Sequence, residues 1–345
     1  MRDFYLYFKL YPRLLNTSVI KNGLSYIWAR KTTFPLTINF LITSKCNFKC
    51  KMCSFYGSGQ PETPDLSTPE IIKFIKTISS YKPIIHIGGG EPFMRKDIYQ
   101  IITEIKKLGM PLLITTNGYL LDTAKIKKLD VDYIIFSLYG PPQVHNEITG
   151  ITDAYEIALK KIKALPKERV IVSTTVMLEN VDYLEEFIKT ILEHGIRKIK
   201  VENLNYITPQ EYENHPSEIN GYILKPTTLI TPSFSHSQVQ KLWERIEKLK
   251  TRYRGKFFLK PDLDKKGFFN WYLGRETNIS CNFIRHSIFI DSDGAIIPCQ
   301  FLKDCKLGNI TRDDVKYVWR SQNFEKFREL IDRLNLPVCR RCCKS

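Results

Sequence analysis

The stretch LITSKCNFKCKMCSFYG, residues 41–57, places three cysteines in a polar loop directly after an apolar run. They are Cys46, Cys50 and Cys53. A tetrahedral zinc site requires four ligands, and disulfide bonds require an even number of cysteines. The stretch therefore indicates a site with one ligand position that these cysteines do not fill.

From residue 37 onward, short apolar runs rich in valine and isoleucine alternate with longer amphipathic segments. The runs are residues 37–43, 84–87, 111–116, 132–138, 169–176 and 197–203. Such runs are typical of strands buried on both faces, and their alternation with helical segments predicts parallel βαβ units. The sequence therefore predicts an α/β fold, a partial (β/α)6 TIM-like barrel. In barrels of this kind functional residues lie after the carboxyl ends of strands, where the three cysteines lie.

The periodicity ends after the sixth run and resumes in a smaller unit. Residues 204–235 form a long polar, proline-containing segment, which we interpret as a substrate lid, with a plain surface excursion as the alternative. Residues 236–252 predict a helix, and HSIFIDSDGAIIPC, residues 286–299, predicts a β-hairpin around an Asp-Gly turn. The sequence predicts three divisions. Residues 1–36 are an N-terminal basic extension, residues 37–235 are the barrel core with the lid, and residues 236–345 are a linker helix followed by a small C-terminal domain.

Positive charge is concentrated in two parts of the chain. The formal net charge is +16, with six Lys/Arg against one acid in residues 1–36 and twelve against four in residues 225–275. This excess favours an acidic partner such as nucleic acid, a phosphorylated small molecule or an anionic membrane surface, although a solvated surface without a partner explains it as well. Charges interrupt the N-terminal segment and no run of 18 apolar residues occurs, so we expect a cytoplasmic protein whose N-terminus contacts a membrane surface at most peripherally.

Nine cysteines is an odd number, which argues against a pure disulfide framework. Three lie within eight residues of one another, and six lie in the last 65 residues. In a cytosolic chain such clusters more often bind metal or take part in chemistry.

The C-x3-C-x2-C spacing of the first cluster resembles the signature of the radical SAM superfamily. The resemblance implies that Cys46, Cys50 and Cys53 ligate a [4Fe–4S] cluster whose fourth iron is chelated by S-adenosylmethionine. Met52 occupies the place where most of the family has an aromatic residue. Taken alone, the spacing also fits a zinc knuckle that lacks one ligand.

The segment HIGGGEPFMR, residues 86–95, follows the second predicted strand and resembles the GGEP motif of the same family. The resemblance implies that Gly89, Gly90 and Glu91 hold the methionyl amine of S-adenosylmethionine. Glycines allow close approach of the backbone to a ligand, and a carboxylate can bind an ammonium group. An ordinary glycine turn after a strand is the alternative.

Polar residues at the ends of the next predicted strands complete the expected cofactor contacts. They are Asn117, Ser137, Ser173 and Thr175. The preference of such residues for strands explains Ser173 and Thr175 equally well. Tyr139 stands where the family often has an acid, and we expect His145 to be structural.

The C-terminal cysteines form a second pattern, in which Cys281 is followed by twelve residues, Gly294, four residues and Cys299, and later by PVCRRCC. This pattern resembles the SPASM and twitch auxiliary domains of radical SAM enzymes. It implies a second, auxiliary [4Fe–4S] cluster, with the ligands Cys281, Cys299, Cys339 and Cys342. The sequence ends at Ser345 without the further cysteines of a full SPASM domain, so the pattern is closer to a twitch domain.

Structural zinc is the alternative for this second set. Cys343 adjoins a predicted ligand and could exchange roles with Cys342. Cys305 is either an inert thiol or a donor of a hydrogen atom to a substrate radical.

The resemblance implies an anaerobic enzyme that receives an electron from flavodoxin or ferredoxin, cleaves S-adenosylmethionine and abstracts a hydrogen atom from its substrate. Oxidation, epimerisation and carbon–carbon bond formation are all compatible outcomes. The basic excess favours an anionic small-molecule or lipid-like substrate. The first alternative is a SPASM-type peptide or protein maturase, but the 36 residues before the first strand are too few to form a leader-binding module. The second alternative, which we favour least, is a zinc-bound nucleic-acid-binding protein.

Overall fold

The computed structural model describes residues 11–29, 31–53, 64–227, 232–277 and 280–343. Parts of three predicted segments lie outside the described residues: 1–10 and 30 of the extension, 54–57 of the cysteine stretch and 228–231 of the lid.

Ten strands form one mixed sheet around which the described residues are organised. They are β1 (Thr37–Leu41), β2 (Ile84–Gly88), β3 (Leu112–Thr116), β4 (Tyr133–Ser137), β5 (Val170–Val176), β6 (Ile199–Asn203), β9 (Phe258–Lys260), β10 (Ser287–Ile290), β11 (Ala295–Ile297) and β12 (Gly308–Asn309). Their order is β12-β11-β10-β1-β2-β3-β4-β5-β6-β9, and β1 to β6 are parallel. The predicted partial barrel is confirmed: its six strands lie in sequence order, and the sheet stays open between β12 and β9.

Helices connect the parallel strands and cover the sheet. They are α1 (Thr17–Ala29), α2 (Thr68–Ile78), α3 (Ile98–Lys107), α4 (Thr123–Lys128), α5 (Pro142–Thr149), α6 (Ala154–Ala164), α7 (Leu184–Glu193), α8 (Pro209–Glu213), α9 (His236–Arg252), α10 (Lys265–Tyr272), α11 (Val315–Arg320) and α12 (Gln322–Arg333). A two-stranded hairpin, β7 (Glu218–Ile219) and β8 (Tyr222–Ile223), follows α8. The predicted linker helix is α9, and its first turn is closed by a capping box between Ser235 and Gln238.

The C-terminal hairpin extends the barrel sheet on one side. Strand β10 pairs in parallel with β1, with Ile288 opposite Ile38, and β11 then pairs antiparallel with β10. On the other side β9 pairs in parallel with β6, with Leu259 opposite Val201. The smaller unit therefore shares backbone hydrogen bonds with the barrel on both sides, while the domain boundary near residue 236 remains a prediction.

The N-terminal segment closes the amino end of the barrel. Tyr11, Leu14 and Val19 are buried against apolar side chains of the strands: Ile84, Leu113, Tyr133, Ile135 and Ile171. The rings of Tyr11 and Tyr133 meet edge to face with centroids 5.5 Å apart, and Asn16 Nδ2 donates to the Lys82 carbonyl at 3.1 Å. This part of the predicted basic extension thus covers the amino end of the barrel, which leaves the carboxyl end available for a site among the described residues.

The predicted lid is bonded to the C-terminal cysteine segment. Cys343 N donates to Asn205 Oδ1 at 2.8 Å, and Arg341 Nε donates to the Tyr206 carbonyl at 3.2 Å. Glu211, on α8, forms an ion pair with Arg341. Residues 205–211 are therefore held in place by residues between and directly after the last two predicted cluster ligands, Cys339 and Cys342.

We expect Glu211→Gln to lower the free energy of unfolding by about 3–5 kcal/mol, because it leaves the charge of Arg341 buried and uncompensated. The side chains of Arg341 and Glu211 are 0% and 10% exposed. Urea denaturation followed by circular dichroism measures the change. Glu276→Gln is the control, because Glu276 pairs with Arg340 at 3.1 Å but is 74% exposed, and exposed pairs contribute little. Equal midpoints for the two variants would contradict a stabilising buried pair.

Candidate functional site

The loop that carries the first three cysteines begins where β1 ends, at the open end of the barrel. Thr43 Oγ1 donates to Asp65 Oδ2 at 2.6 Å and accepts from Lys45 N at 3.1 Å, which fixes the start of the loop. Further along, Lys51 N donates to the Ile148 carbonyl at 3.0 Å. All three cysteines are partly exposed. The three cysteines thus lie in a loop whose backbone is anchored at Thr43 and at Lys51.

The glycines after β2 permit close contact with this cysteine loop. Gly90 N donates to the Thr43 carbonyl and Glu91 N to the Lys45 carbonyl, both at 2.8 Å. A Cβ on Gly90 would lie 2.0 Å from Lys45 O, and one on Gly89, whose φ is +116°, would lie 2.5 Å from Thr43 O. The contact between the two loops therefore requires glycine at both positions, whether or not a cofactor also approaches this backbone.

Glu91 points into the protein and connects loops. Its carboxylate accepts hydrogen bonds from Thr116 Oγ1 at 2.7 Å, Asn117 N at 2.7 Å and Phe93 N at 3.1 Å, and the residue is 1% exposed. Burial raises the pKa of Glu91 to about 7, although these three hydrogen bonds act in the opposite direction. Asn117 Nδ2 in turn donates to Asn47 Oδ1 in the cysteine loop at 2.9 Å. The structure thus gives Glu91 and Asn117 positioning contacts, and their contacts with a cofactor remain predictions.

The first three thiols lie close enough to affect one another. The pKa of Cys46 is raised to about 11 and that of Cys50 to about 12, mainly by burial, and the nearby thiol of Cys53 contributes to both values. Thiolate ligands here would require compensating positive charge, and cluster binding would release protons. No three His, Cys, Asp or Glu side chains of the described residues converge as one metal ion requires. In an iron–sulfur cube each thiolate binds a separate iron, so this donor set fits a cube better than a single zinc ion.

The four predicted auxiliary ligands line one small cavity at the far side of the C-terminal hairpin. Its walls are Cys281, Ile284, Cys299, Phe301, Leu302, Phe327, Ile331, Val338, Cys339 and Cys342. Burial, followed by the charges of the other three cysteines, raises the pKa of Cys339 well above its usual value. The fold therefore brings four thiols into one apolar cavity from two segments that are distant in sequence, which suits a closed cluster site.

The two remaining cysteines lie outside this cavity. Cys343 Sγ accepts from Asn205 Nδ2 at 3.2 Å. Cys305 is 2% exposed, and burial raises the pKa of its thiol to about 12. Cys305 is also absent from the described residues that line the barrel pocket, so its predicted role as a hydrogen donor gains no support from its placement.

A pocket of about 230 Å³ occupies the barrel interior below the cysteine and glycine loops. Its lining is Asn39, Leu41, His86, Gly88, Gly89, Thr115, Ile135, Ser137, Tyr139, Ser173, Thr175, Lys200, Glu202, Phe289 and Gln300. Four residues predicted to contact the cofactor are among them: Gly89, Ser137, Ser173 and Thr175. Gln300 follows Cys299, so the auxiliary cysteine segment contributes to the same pocket.

An ion pair in this pocket was not predicted. Lys200 Nζ lies 2.8 Å from Glu202 Oε1, and Glu202 Oε2 accepts from Ser173 Oγ at 3.1 Å. Burial is the largest single effect and lowers the pKa of Lys200, but the charges of Glu202, Tyr11 and Cys343 and the hydrogen bond with Glu202 together outweigh it, so the net pKa is raised and the ammonium group stays charged. Lys200 and Glu202 are two positions apart in a strand, so their side chains lie on the same face of the sheet. This spacing of two charged residues in a buried strand was the feature of the sequence that could have indicated the ion pair.

A histidine on β2 was also missed. His86 Nδ1 lies 3.0 Å from Asn39 Oδ1, and His86 Nε2 lies 2.8 Å from Thr115 Oγ1. By contrast, His145 is fully buried on α5 and its Nδ1 accepts from Tyr139 N at 3.1 Å. Burial lowers the pKa of His145 to about 3, which agrees with the structural role expected for it.

Comparison with known protein families identifies the two cysteine-containing domains of the chain. The radical SAM superfamily model matches residues 40–191, and the model of the SPASM iron–sulfur cluster-binding domain matches residues 281–343. The chain belongs to the radical SAM superfamily. This radical SAM enzyme therefore works with a [4Fe–4S] cluster, S-adenosylmethionine and an auxiliary cluster in its SPASM domain.

Two relatives are similar along most of their length. A "tungsten-containing aldehyde ferredoxin oxidoreductase cofactor-modifying protein" of Pyrococcus furiosus is 26% identical over 332 residues, 87% of this chain and 85% of the relative. An "AdoMet-dependent heme synthase" of Oleidesulfovibrio alaskensis is 27% identical over 307 residues, 83% of this chain and 75% of the relative.

Solved structures show the same fold at lower identity. SuiB of Streptococcus suis bound to S-adenosylmethionine has a TM-score of 0.62 at 18% identity, and the match covers 93% of this chain and 76% of SuiB. The structure of anSMEcpe with bound AdoMet has a TM-score of 0.63 at 18% identity, with 89% of this chain and 90% of the other covered. No described helix of this radical SAM enzyme is long and apolar enough to cross a membrane.

Proposed function

We propose that Cys46, Cys50 and Cys53 hold the [4Fe–4S] cluster and that the pocket between Gly89 and Lys200 binds S-adenosylmethionine together with an anionic organic substrate. When bound, the cluster supplies the electron that cleaves S-adenosylmethionine to methionine and a 5′-deoxyadenosyl radical, which abstracts a hydrogen atom from the substrate. The observation that carries this proposal is the position of Gly89, which lines the pocket and also packs against the loop that leads into the three cysteines.

The residues around the pocket have distinct tasks in this proposal. The backbone of Gly90 and Glu91 sets the separation between the cysteine loop and the pocket, because Gly90 N donates to the Thr43 carbonyl and Glu91 N donates to the Lys45 carbonyl. Glu91 fixes the end of β3 relative to these loops through its bonds with Thr116 and Asn117. The closed amino end of the barrel excludes water from below.

Lys200 is the substrate-binding residue that we favour. Its ammonium group has three donors, and within the described ranges of the chain the ion pair with Glu202 uses one of them, so further donors remain for a carboxylate or phosphate. The relatives matched over most of both chains are named as a cofactor-modifying protein and as heme synthases. This favours an anionic cofactor or cofactor precursor over a peptide as the substrate.

The auxiliary cysteines Cys281, Cys299, Cys339 and Cys342 hold the second cluster in this proposal, with Gln300 next to them at the pocket wall. A flavodoxin or ferredoxin supplies the electrons, because such small acidic carriers complement a chain of net charge +16. The similarity to SuiB extends to the fold and does not by itself favour a peptide substrate. The radical SAM match over residues 40–191 leaves the zinc-bound nucleic-acid-binding alternative without support.

We expect Lys200→Met to raise KM for the substrate by about 10- to 100-fold, which is the range of one lost charge-assisted hydrogen bond. The substrate is first identified by deuterium transfer from labelled anionic cofactor precursors into 5′-deoxyadenosine. Formation of 5′-deoxyadenosine without substrate should stay unchanged, because it does not require Lys200.

Lys198→Met is the matched control, since Lys198 directly precedes the strand that carries Lys200 and donates to the Glu168 carbonyl at 2.9 Å. An unchanged KM in Lys200→Met, or an equal rise in the control, would contradict the assignment of Lys200.

A further inference from the structure

Helix α1 carries an exposed apolar stripe that the fold does not use. Ile20, Leu24 and Trp28 are 46%, 51% and 85% exposed. They lie one turn apart on one face of the helix. The opposite face packs on the protein through Val19 and Tyr26, and Tyr26 contacts the ring of His286 at 5.2 Å between centroids. The stripe is therefore held on a fixed helix and faces outward.

A basic cleft of about 350 Å³ lies beside the C-terminal half of α1, which contributes Ser25 to its lining. Its lining is Ser25, Lys31, Thr32, Thr33, Arg285, Trp319, Arg320, Glu325 and Arg328, which includes four cations and one acid. Glu325 pairs with Lys31 and Arg328, and Arg285 pairs with Asp332. Arg320 is exposed, and the cleft keeps an excess of positive charge after these pairs are counted.

Thr32 gives independent evidence that the cleft accepts a polar ligand. The residue is 9% exposed, and its Oγ1 has no hydrogen-bond partner among the described residues. A buried hydroxyl without a partner is costly, and a ligand oxygen in the cleft would satisfy it.

We propose that α1 and the basic cleft dock this enzyme on an anionic lipid bilayer. Ile20, Leu24 and Trp28 enter the interface between headgroups and acyl chains, and the cleft binds headgroup phosphate. Residues 11–33 contain three basic residues at described positions, Arg13, Lys21 and Lys31, and no acid. A second copy of the chain would place like charges opposite each other in a two-fold interface, whereas an anionic surface complements them.

The position of α1 determines how the docked enzyme would be oriented. The N-terminal segment lies at the amino ends of the strands, and the cysteine loop lies at the carboxyl ends. Docking through α1 therefore leaves the mouth of the pocket open to water, where a water-soluble substrate and an electron carrier reach it.

The test is cosedimentation of the full-length protein with phosphatidylcholine vesicles that contain or lack phosphatidylglycerol. We expect binding only to the anionic vesicles, a decrease of bound protein with rising salt, and a blue shift of Trp28 emission on binding. Leu24→Ser/Trp28→Ser should weaken binding by about tenfold or more, because two apolar side chains no longer enter the interface. Lys21→Glu/Arg320→Glu should weaken it as well at low salt.

Tyr183→Ser is the control, because Tyr183 is 45% exposed in a turn that follows the carboxyl end of β5. Equal binding to neutral vesicles, or unchanged binding by both double variants, would overturn the proposal. A dimer in solution that dissociates in Leu24→Ser/Trp28→Ser would overturn it in favour of an interface between copies. Formation of 5′-deoxyadenosine in the absence of vesicles should be the same in all variants, so failure of docking is distinguishable from failure of the proposed chemistry.

Discussion

Cys50→Ala is expected to reduce formation of 5′-deoxyadenosine to the level measured without protein. The variant leaves two of the three thiols of the open site, and two ligands do not hold a cube in place. The measurement is anaerobic reconstitution with iron and sulfide, reduction, and chromatographic determination of 5′-deoxyadenosine and of iron per chain. Iron should fall by the content of one cluster, because the auxiliary cysteines are intact.

Cys305→Ala is the matched control for this experiment. Cys305 is a buried cysteine that lies outside the pocket lining and the auxiliary cavity. We expect it to keep full iron content and full cleavage of S-adenosylmethionine. Cleavage by Cys50→Ala at the wild-type rate would contradict the assignment of the three cysteines.

Gly90→Ala is expected to destabilise the protein by about 1–3 kcal/mol or more and to empty the first cluster site. The new Cβ would lie 2.0 Å from the Lys45 carbonyl oxygen, which is backbone and cannot rotate away, so the cysteine loop must move. Iron content in a Cys339→Ala/Cys342→Ala background reports the first site alone, and thermal unfolding reports stability.

Gly88→Ala provides the comparison two residues earlier, at the end of β2, because no atom lies within 4 Å of a Cβ added there. It should keep both the melting temperature and the iron content. A Gly90→Ala protein with wild-type stability and iron content would show that the contact between the glycine and cysteine loops is not required for the site.

The barrel could be predicted from the sequence because its strands are buried on both faces. Each of the six predicted runs contains a strand of the structure or falls short of it by one residue, and the buried Ile/Val content leaves little choice of register. Strand β9 was missed because it has three residues inside a basic stretch, and its pairing with β6 is set by the fold and not by local propensity. The plug formed by Tyr11 and Leu14 was missed for a related reason, since long-range burial leaves no local motif.

The site could be predicted only where its residues follow a motif. The resemblance to the family's motifs brought out the cysteines and the glycines, and the structure joins their two loops by backbone hydrogen bonds. The sequence analysis explained the glycines by contact with a cofactor, which is incomplete, because the close approach of the Lys45 carbonyl also requires glycine at position 90. Lys200 and Glu202 were visible as charges in an apolar strand, yet nothing in the sequence indicated that they face the same pocket as Gln300. Substrate-binding residues of this kind depend on the tertiary arrangement of strands and hairpin.

The most direct measurement is electron paramagnetic resonance of the reduced Cys339→Ala/Cys342→Ala variant with and without S-adenosylmethionine. This variant leaves Cys46, Cys50 and Cys53 as the only complete set of predicted ligands for a cluster. We predict an iron–sulfur signal whose g values change when S-adenosylmethionine is added, because the open iron gains a ligand. A signal that does not respond to S-adenosylmethionine, or a protein that contains stoichiometric zinc and no iron, would contradict an open cluster at these three cysteines.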